Sequence, residues 1–181
     1  MSELWLDDYQ TPHWFAIYTK PRSEKKLALI LEKKGYQSYI PLIPGKNPRG
    51  RIITSIPLVP SYVFMNSRMD SEIWYEIVNN NLVIKFVGRK NMPEPIPNHE
   101  IDSIKLLIQR TQEPQKIQLE ALRLEGVLVR ILEGPFQGII GRVVTVKPNR
   151  KKLIISVENI SASISVEVDA SNIERMEAYH E

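Results

Sequence analysis

A glycine-bounded turn between two β-branched runs constrains this chain more than any other feature. Gly134-Pro135-Phe136-Gln137-Gly138 separates residues 127–132 from residues 139–146, and Gly141 follows closely. Glycine permits positive φ angles and close approach of another backbone. The pattern therefore predicts a strand, a tight reversal with one aromatic side chain at its tip, and a second strand. An ordinary hairpin without a special role is the alternative.

The residues after this turn repeat the same short-strand pattern. Residues 153–157 are mostly aliphatic, and residues 164–168 alternate β-branched and polar side chains. Short strands separated by turns at near-regular intervals favour a small closed barrel. Roughly 60 residues is close to the lower limit for an independent domain, so closing the sheet helps by removing exposed edges.

The first half of the chain mixes helical and extended patterns. The aromatic and β-branched residues 14–19 predict a strand. Residues 23–34 place apolar side chains at three- and four-residue spacing, which is typical of an amphipathic helix, and Gly35 is well placed to end it. The patterns along the chain predict the order β-α-β-β-β-α-β-α. We expect an α+β fold in which helices flank a mostly antiparallel sheet.

A polar stretch separates the two halves. Residues 109–120 contain Pro114 and lack apolar periodicity, whereas the pattern beyond them is extended. The predicted organisation is a tail over residues 1–12, an α+β domain over 13–110, a linker over 111–122 and an all-β barrel over 123–178.

Composition argues against several classes of function. The 181 residues include no cysteine, which removes disulfides and thiolate chemistry and favours a reducing cytoplasm. No apolar run approaches the roughly 18–20 residues of a membrane span, and the N-terminus lacks a signal-peptide layout. The three histidines have no metal-ligand spacing, and no P-loop or nucleophile motif is present. We expect a cytoplasmic protein without membrane association, cofactor, metal or enzymatic activity.

The positive charge is small and unevenly distributed. Net charge is +3; residues 1–111 carry 15 basic and 11 acidic side chains, and residues 112–181 carry 9 and 10. That field is weak for a dedicated DNA-binding domain. It suits a protein that contacts nucleic acid locally while another partner supplies most of the affinity.

The turn at residues 134–138, with residues 126–131 before it, resembles the KOW motif. This motif occurs in NusG-type factors and in some ribosomal proteins, where it forms a small SH3-like barrel that recruits a partner or RNA. The resemblance assigns the partner surface to Gly134, Phe136, Gly138 and Ile160. The implied partners of this barrel are a ribosomal protein, a termination factor or nascent RNA.

The beginning of the chain resembles the N-terminal domain of NusG. Residues 14–18, followed by Lys20-Pro21-Arg22, match its opening, and residues 57–64 match its Pro-Leu-Phe-Pro-Gly-Tyr-Val-Phe-like strand. Val59 and Ser61 depart from the usual phenylalanine and glycine of that strand. Two motifs in the same order make the chain similar to a bacterial NusG-type factor over roughly residues 14–176.

In this family, an apolar pocket grips the clamp helices of the largest subunit of RNA polymerase. The resemblance assigns this contact to Tyr18, Val59, Tyr62 and Phe64. Strand alternation places Tyr62 and Phe64 on one face, and tyrosine combines a large apolar surface with a polar tip. The alternative is that these aromatic side chains belong to the core.

The resemblance also implies contact with the non-template DNA strand, as in antiterminators of the RfaH type. The matching basic residues are Lys20, Arg22, Lys46, Arg49 and Arg51. Arginine binds phosphate or stacks on an unpaired base. A solvated loop is the alternative for the residues between 46 and 51.

A further segment matches the part of the family that reaches across the DNA channel to the opposite lobe of polymerase. It consists of Ile73, Trp74, Tyr75 and Glu76. Such a bridge would favour the closed, elongating enzyme and oppose pausing. A helix-core position for Trp74 is the alternative.

The sequence therefore predicts a non-enzymatic elongation factor that binds the polymerase clamp and promotes processive transcription. Ser61, the Arg49-Gly50-Arg51 loop and the overall divergence favour a specialised antiterminator similar to those of bacterial polysaccharide operons. One alternative is a general NusG-like factor that couples polymerase to a termination factor or the ribosome. An alternative from another class is an RNA-binding or ribosome-associated KOW protein.

Overall fold

The computed structural model describes residues 9–46, 49–89, 92–111, 116–122, 125–147, 150–157, 160–168 and 173–176. The strands are β1 (His13–Thr19), β2 (Gln37–Tyr39), β3 (Leu42–Lys46), β4 (Ile52–Pro57), β5 (Tyr62–Ser67), β6 (Val83–Phe86), β7 (Pro95–Ile96), β8 (Gln118–Ala121), β9 (Val127–Ile131), β10 (Ile140–Lys147), β11 (Arg150–Val157), β12 (Ala162–Val168) and β13 (Ile173–Arg175). The helices are α1 (Glu24–Lys33), α2 (Ser71–Val78) and α3 (Asn98–Arg110).

These elements form two compact units. The first comprises residues 1–40 with 59–98, and the second comprises residues 41–58 with 99–181. Helices combined with antiparallel sheets confirm the predicted α+β class. Among the residues described above, no helix is long and apolar enough to cross a membrane.

Strand β1 is central to the first unit. Its sheet has the order β2-β5-β1-β6, and β7 also pairs with β1. Phe15 and Ile17 of β1 and Val63 and Met65 of β5 join one buried cluster with side chains of α1 and α2. Because successive side chains of a strand point to opposite faces, the intervening residues line the other face of the sheet.

The helices of this unit form as their sequences predict. Leu27, Ala28 and Leu31 of α1 are buried, in agreement with the apolar spacing of that segment. Helix α2 begins after Asp70, whose side chain accepts a hydrogen bond from the Ile73 backbone N–H at 2.8 Å. This cap satisfies one of the helix's unpaired backbone donors and fixes where α2 starts.

Part of the predicted N-terminal tail packs against the first unit. The Tyr9 carbonyl accepts a hydrogen bond from the Met69 N–H at 3.0 Å. The Tyr9 ring also makes an edge-on contact with Phe15, with ring centroids 5.5 Å apart. The first unit therefore includes residues before residue 13, and residues 1–8 lie outside the described residues.

The buried Glu24 carboxylate stabilises the turn that leads into β5. The Ser61 N–H donates a hydrogen bond of 2.7 Å to Glu24 Oε1, and only 5% of Glu24 is exposed. Ser61 has a φ of 66°, a conformation that non-glycine residues seldom adopt. The first turn of α1 therefore supports a strained turn at the start of β5.

The second unit contains a six-stranded antiparallel sheet with the order β13-β9-β10-β11-β12-β8. It also contains the two-stranded β3–β4 sheet and α3. Gly141 is required where β10 meets β11, because a Cβ atom there would lie 2.7 Å from the Ile154 carbonyl oxygen. The predicted turn residues Gly134 and Gly138 have φ values of 85° and 86°.

The segment predicted to be a linker contains strand β8. Gln118–Ala121 pairs antiparallel with β12, and Ala121 lies opposite Ala162. Hydrophobic periodicity did not predict this strand because it is short and lies at a sheet edge, where its side chains are mostly exposed. The barrel sheet therefore incorporates part of the 111–122 region.

A polar cluster attaches β8 to the sheet. Glu120 Oε1 accepts hydrogen bonds from Ser165 Oγ, at 2.7 Å, and from the Lys152 ammonium. Ser165 is fully buried, and the Glu120 and Lys152 side chains are each only 17% exposed. Charge-assisted hydrogen bonds of this kind hold β8 against the sheet, and the Lys152 ammonium neutralises the Glu120 carboxylate.

We predict that Glu24→Ala destabilises the first unit by about 1–3 kcal/mol, because it removes the acceptor of the Ser61 N–H. Glu24→Gln retains an acceptor oxygen and should cost clearly less. Lys26→Ala, at an exposed position of the same helix, serves as control. Urea unfolding followed by circular dichroism measures all three, and equal stabilities of the Ala and Gln variants would refute this role.

We predict that the β8 amides facing β12 exchange slowly with deuterium in the wild-type chain. Glu120→Ala should speed their exchange and lower barrel stability by about 1–3 kcal/mol, because Ser165 and Lys152 lose a common acceptor. Gln118→Ala, at an exposed position of the same strand, should change little. Free exchange over residues 118–121 in wild-type protein would contradict the strand assignment.

Candidate functional site

Tyr18 and Tyr62 form an aromatic pair on the sheet face opposite the core cluster. They lie directly opposite each other in the β1–β5 register, with ring centroids 5.2 Å apart and planes inclined at 46°. Both are half-buried. Burial, together with the neighbouring Tyr18, raises the pKa of the Tyr62 hydroxyl above its usual value. The pair presents apolar ring surface with protonated hydroxyl groups, a combination suited to a protein interface.

The other two residues assigned to this contact, Val59 and Phe64, are buried. Phe64 has no exposed surface and Val59 is 2% exposed. Phe64 lies opposite Ala16 in the sheet, and its ring centroid is 6.4 Å from that of Tyr39. Of the four assigned residues, only the two tyrosines present surface to a partner, while Phe64 is a buried neighbour on the same face of the sheet.

The assigned basic residues occupy two turns. Lys20 and Arg22 are exposed between β1 and α1, and Arg22 has a φ of 63°. Arg49 and Arg51 are exposed between β3 and β4. Lys46 ends β3, and its side chain lies outside the described residues. The arginines have the exposure that contact with a phosphate or an unpaired base requires.

Helix α2 divides the assigned bridge residues between core and surface. Ile73 is 8% exposed and belongs to the core cluster, and Trp74 packs against that cluster. Tyr75 is 59% exposed and makes an edge-on contact with Trp74, with ring centroids 4.8 Å apart. Tyr75 and Glu76 are thus exposed, whereas Trp74 is half-buried and Ile73 is buried.

Glu76 joins α2 to the end of α1. Its carboxylate accepts hydrogen bonds of 2.5 Å from the Lys34 ammonium and from the Tyr36 hydroxyl. The bonds from Lys34 and then Tyr36 lower the pKa of Glu76, despite a small opposing effect of burial. Burial, followed by the Glu76 hydrogen bond and charge, raises the pKa of Tyr36 to about 12. This network gives Glu76 a structural role within the first unit.

The glycine-bounded turn forms as predicted, and its assigned partner surface is only partly accessible. Phe136 is half-buried and Ile160 is 8% exposed. The turn is closed by a hydrogen bond of 2.8 Å from the Gly138 N–H to the Ile131 carbonyl. Phe136 remains available at the tip, whereas Ile160 belongs to the barrel interior.

Comparison with known proteins identifies the family. The profile described as "Transcription termination factor nusG" matches residues 12–105, just over half of the chain. The chain belongs to the NusG family.

Relatives that match along most of their length agree with this assignment, and one solved structure has a similar fold. The chain is 24% identical to the transcription termination/antitermination protein NusG of Synechocystis, covering 90% of this chain and 89% of that protein. It is 28% identical to NusG of Neisseria meningitidis, covering 90% and 97%. A structure titled "Domain interaction in Thermotoga maritima NusG" superposes with a TM-score of 0.53 at 22% identity, covering 92% of this chain and 98% of that one. The chain is therefore a NusG-type transcription factor.

Sequence analysis of this NusG-family chain missed three polar residues beside the assigned surfaces. The Arg110 guanidinium donates a 2.5 Å hydrogen bond to the Gln137 carbonyl, and buried Ser103 accepts one of 3.1 Å from the Ile140 N–H. Lys85 lies opposite Tyr18 in the β1–β6 register. No sequence pattern indicates the contacts of Arg110 and Ser103, which both belong to α3. Lys85 could have been assigned to the Tyr18 surface from the pairing of β6 with β1.

We predict that the Lys34–Glu76 interaction makes the free energy of unfolding depend on pH in the acidic range. The pKa of Glu76 is lower in the folded chain than in the unfolded chain. Glu76 therefore contributes its full stabilisation at pH values above its pKa in the unfolded chain. This stabilisation is lost as the pH falls through its pKa in the folded chain. Glu76→Gln should remove this dependence and cost about 0.5 kcal/mol near neutral pH, since the pair is partly exposed.

Urea unfolding of wild-type and Glu76→Gln chains at several pH values measures this effect. Lys34→Met should reproduce most of the change, and the double variant should add little to either single variant. Parallel stability curves for wild type and Glu76→Gln at all acidic pH values would rule out the proposed coupling.

Proposed function

We propose that this NusG-type factor binds the clamp helices of the largest RNA polymerase subunit and promotes processive elongation without chemistry of its own. The observation that carries the proposal is the Tyr18–Tyr62 pair, half-exposed on the sheet face opposite the core. Binding of this kind shifts the enzyme toward its elongating state only through higher affinity for that state. A difference of about 1.4 kcal/mol changes the ratio of the two states tenfold.

The tyrosine pair suits a helical partner because its rings are held on a rigid support. Both belong to paired strands, and their neighbours on the same face, Ala16 and Phe64, are fully buried. Partly exposed aromatic side chains on ordered elements lose little conformational entropy on binding and are enriched among interface hot spots. Val59 and Phe64 contribute by supporting this surface.

The arginine turns support a secondary contact with non-template DNA. Arg22, Arg49 and Arg51 are exposed, as phosphate binding or base stacking requires. Three phosphate contacts would give a logarithmic salt slope of only about −2 on single-stranded DNA. DNA contact then selects where the factor loads, and polymerase contact supplies most of the affinity.

Tyr75 is the residue of α2 that we assign to the opposite lobe of polymerase. It is 59% exposed, and Trp74 lies against its ring. For the barrel we propose recruitment of a ribosomal protein, a termination factor or nascent RNA through Phe136. The match of the family profile to residues 12–105 supports the assignment of polymerase binding to this part of the chain.

We also propose that the chain is a specialised antiterminator acting in the cytoplasm on a polysaccharide-type operon. The exposed arginines of the Arg49-Gly50-Arg51 loop and the overall divergence of the sequence support this over a general elongation factor. The general factor remains the alternative. An RNA-binding KOW protein leaves the tyrosine pair of the first unit without a role.

We predict that the full chain co-elutes with purified bacterial core RNA polymerase and that Tyr62→Ala weakens binding by about thirtyfold, the loss typical of a hot spot. Fluorescence anisotropy of labelled protein measures the dissociation constants. Circular dichroism verifies that each variant is folded.

Leu29→Ala provides the matched control, because Leu29 is a 58% exposed apolar residue on α1, on the other side of the sheet. It should bind like wild type. Absence of wild-type binding, both to core enzyme and to an assembled elongation complex, would refute the polymerase proposal. Tight binding to RNA in the same samples would then favour the RNA-binding alternative.

A further inference from the structure

Lys85 extends the tyrosine pair into a row across three strands. Tyr62 of β5 lies opposite Tyr18 of β1, and Tyr18 lies opposite Lys85 of β6. Directly opposed residues of antiparallel strands project from the same face of a sheet. Lys85 therefore belongs to the same surface as the pair, and it is exposed.

The three side chains of this row all end in hydrogen-bond donors. An ammonium group donates three hydrogen bonds and accepts none, and a protonated tyrosine hydroxyl donates one. Within the described part of the chain, neither hydroxyl nor the Lys85 ammonium has a hydrogen-bond or ion-pair partner. None of the three side chains carries a negative charge, so a partner that brings a carboxylate gains charge-assisted hydrogen bonds.

We propose that Lys85 is a further contact residue of the polymerase-binding surface and that the Tyr62–Tyr18–Lys85 row receives an acidic side chain of the docked helix. This inference rests on the proposed function, since it specifies the chemistry of the partner at that site. The rings cover the apolar surface of the helix beside the carboxylate, and Lys85 supplies the opposite charge.

The surroundings favour a carboxylate over a nucleic-acid phosphate. The row carries a single cation beside two aromatic rings, and Phe64, the next residue of β5 on the same face, is fully buried. Phosphate recognition typically combines several cations, whereas this row has only one. A single carboxylate on an otherwise apolar helix surface is complementary in charge and polarity to the Lys85 ammonium beside the two tyrosine rings.

The test measures dissociation constants of full-length variants with nucleic-acid-free core RNA polymerase at low and high salt. We expect Lys85→Glu to weaken binding about tenfold or more at low salt, and Lys85→Met by a smaller factor. The difference from wild type should shrink as salt increases, because screening weakens exposed charge pairs. Tyr18→Phe and Tyr62→Phe, which retain the rings, should each weaken binding about three- to tenfold.

Lys26→Glu makes the same charge change at an exposed position of α1, which packs on the other face of the sheet. It should bind within about twofold of wild type. Equal weakening by Lys26→Glu and Lys85→Glu would indicate a general charge effect and overturn the inference. Weakening seen only with nucleic acid in the complex would identify phosphate as the acceptor and also overturn it.

The outcomes for the two proposals are separable. Wild-type binding that is unchanged in Lys85→Glu would overturn the role of Lys85 while leaving the polymerase proposal intact. Failure of the folded wild-type chain to bind would remove both. Circular dichroism and urea unfolding confirm that the Lys85 variants keep the wild-type fold.

Discussion

The pairing of β1 with β5 is the constraint on which the first unit depends. Six consecutive pairs, from His13 opposite Ser67 to Tyr18 opposite Tyr62, fix which residues enter the core and which form the opposite face. A slip by one residue would exchange the two sets, because side chains alternate along a strand. The buried cluster under α1 and α2 therefore stabilises the fold and, through the register, also positions the tyrosine pair.

This coupling explains why a binding surface can be both apolar and well ordered. Tyr18 and Tyr62 are half-buried, and their strand neighbours Ala16 and Phe64 are completely buried. The two rings also pack on each other, with centroids 5.2 Å apart. A surface held by its supporting layer loses less entropy on binding than one built from loops. The turns that carry Arg22, Arg49 and Arg51 lie between secondary-structure elements, so this entropic advantage does not apply to them.

Local sequence predicted the elements better than it predicted accessibility. The helix at Leu27 and Leu31 and the turn at residues 134–138 follow from spacing and glycine content, which are local properties. Whether Phe64 faces a partner or the interior depends on which residues cover it, and alternation alone does not specify that. Strand β8 was missed because its stability comes from Glu120 meeting Ser165 and Lys152, which lie more than 30 positions along the chain.

Ser61 shows that a departure from the family sequence need not change the shape of a site. At a φ of 66°, serine occupies a conformation that suits the glycine usual there, at a cost of roughly 1 kcal/mol. The hydrogen bond from its N–H to the buried carboxylate of Glu24 opposes that cost. The turn before Tyr62 therefore keeps the geometry expected of glycine. The proposed specialisation therefore rests on the exposed arginines at positions 49 and 51 and not on the backbone of this turn.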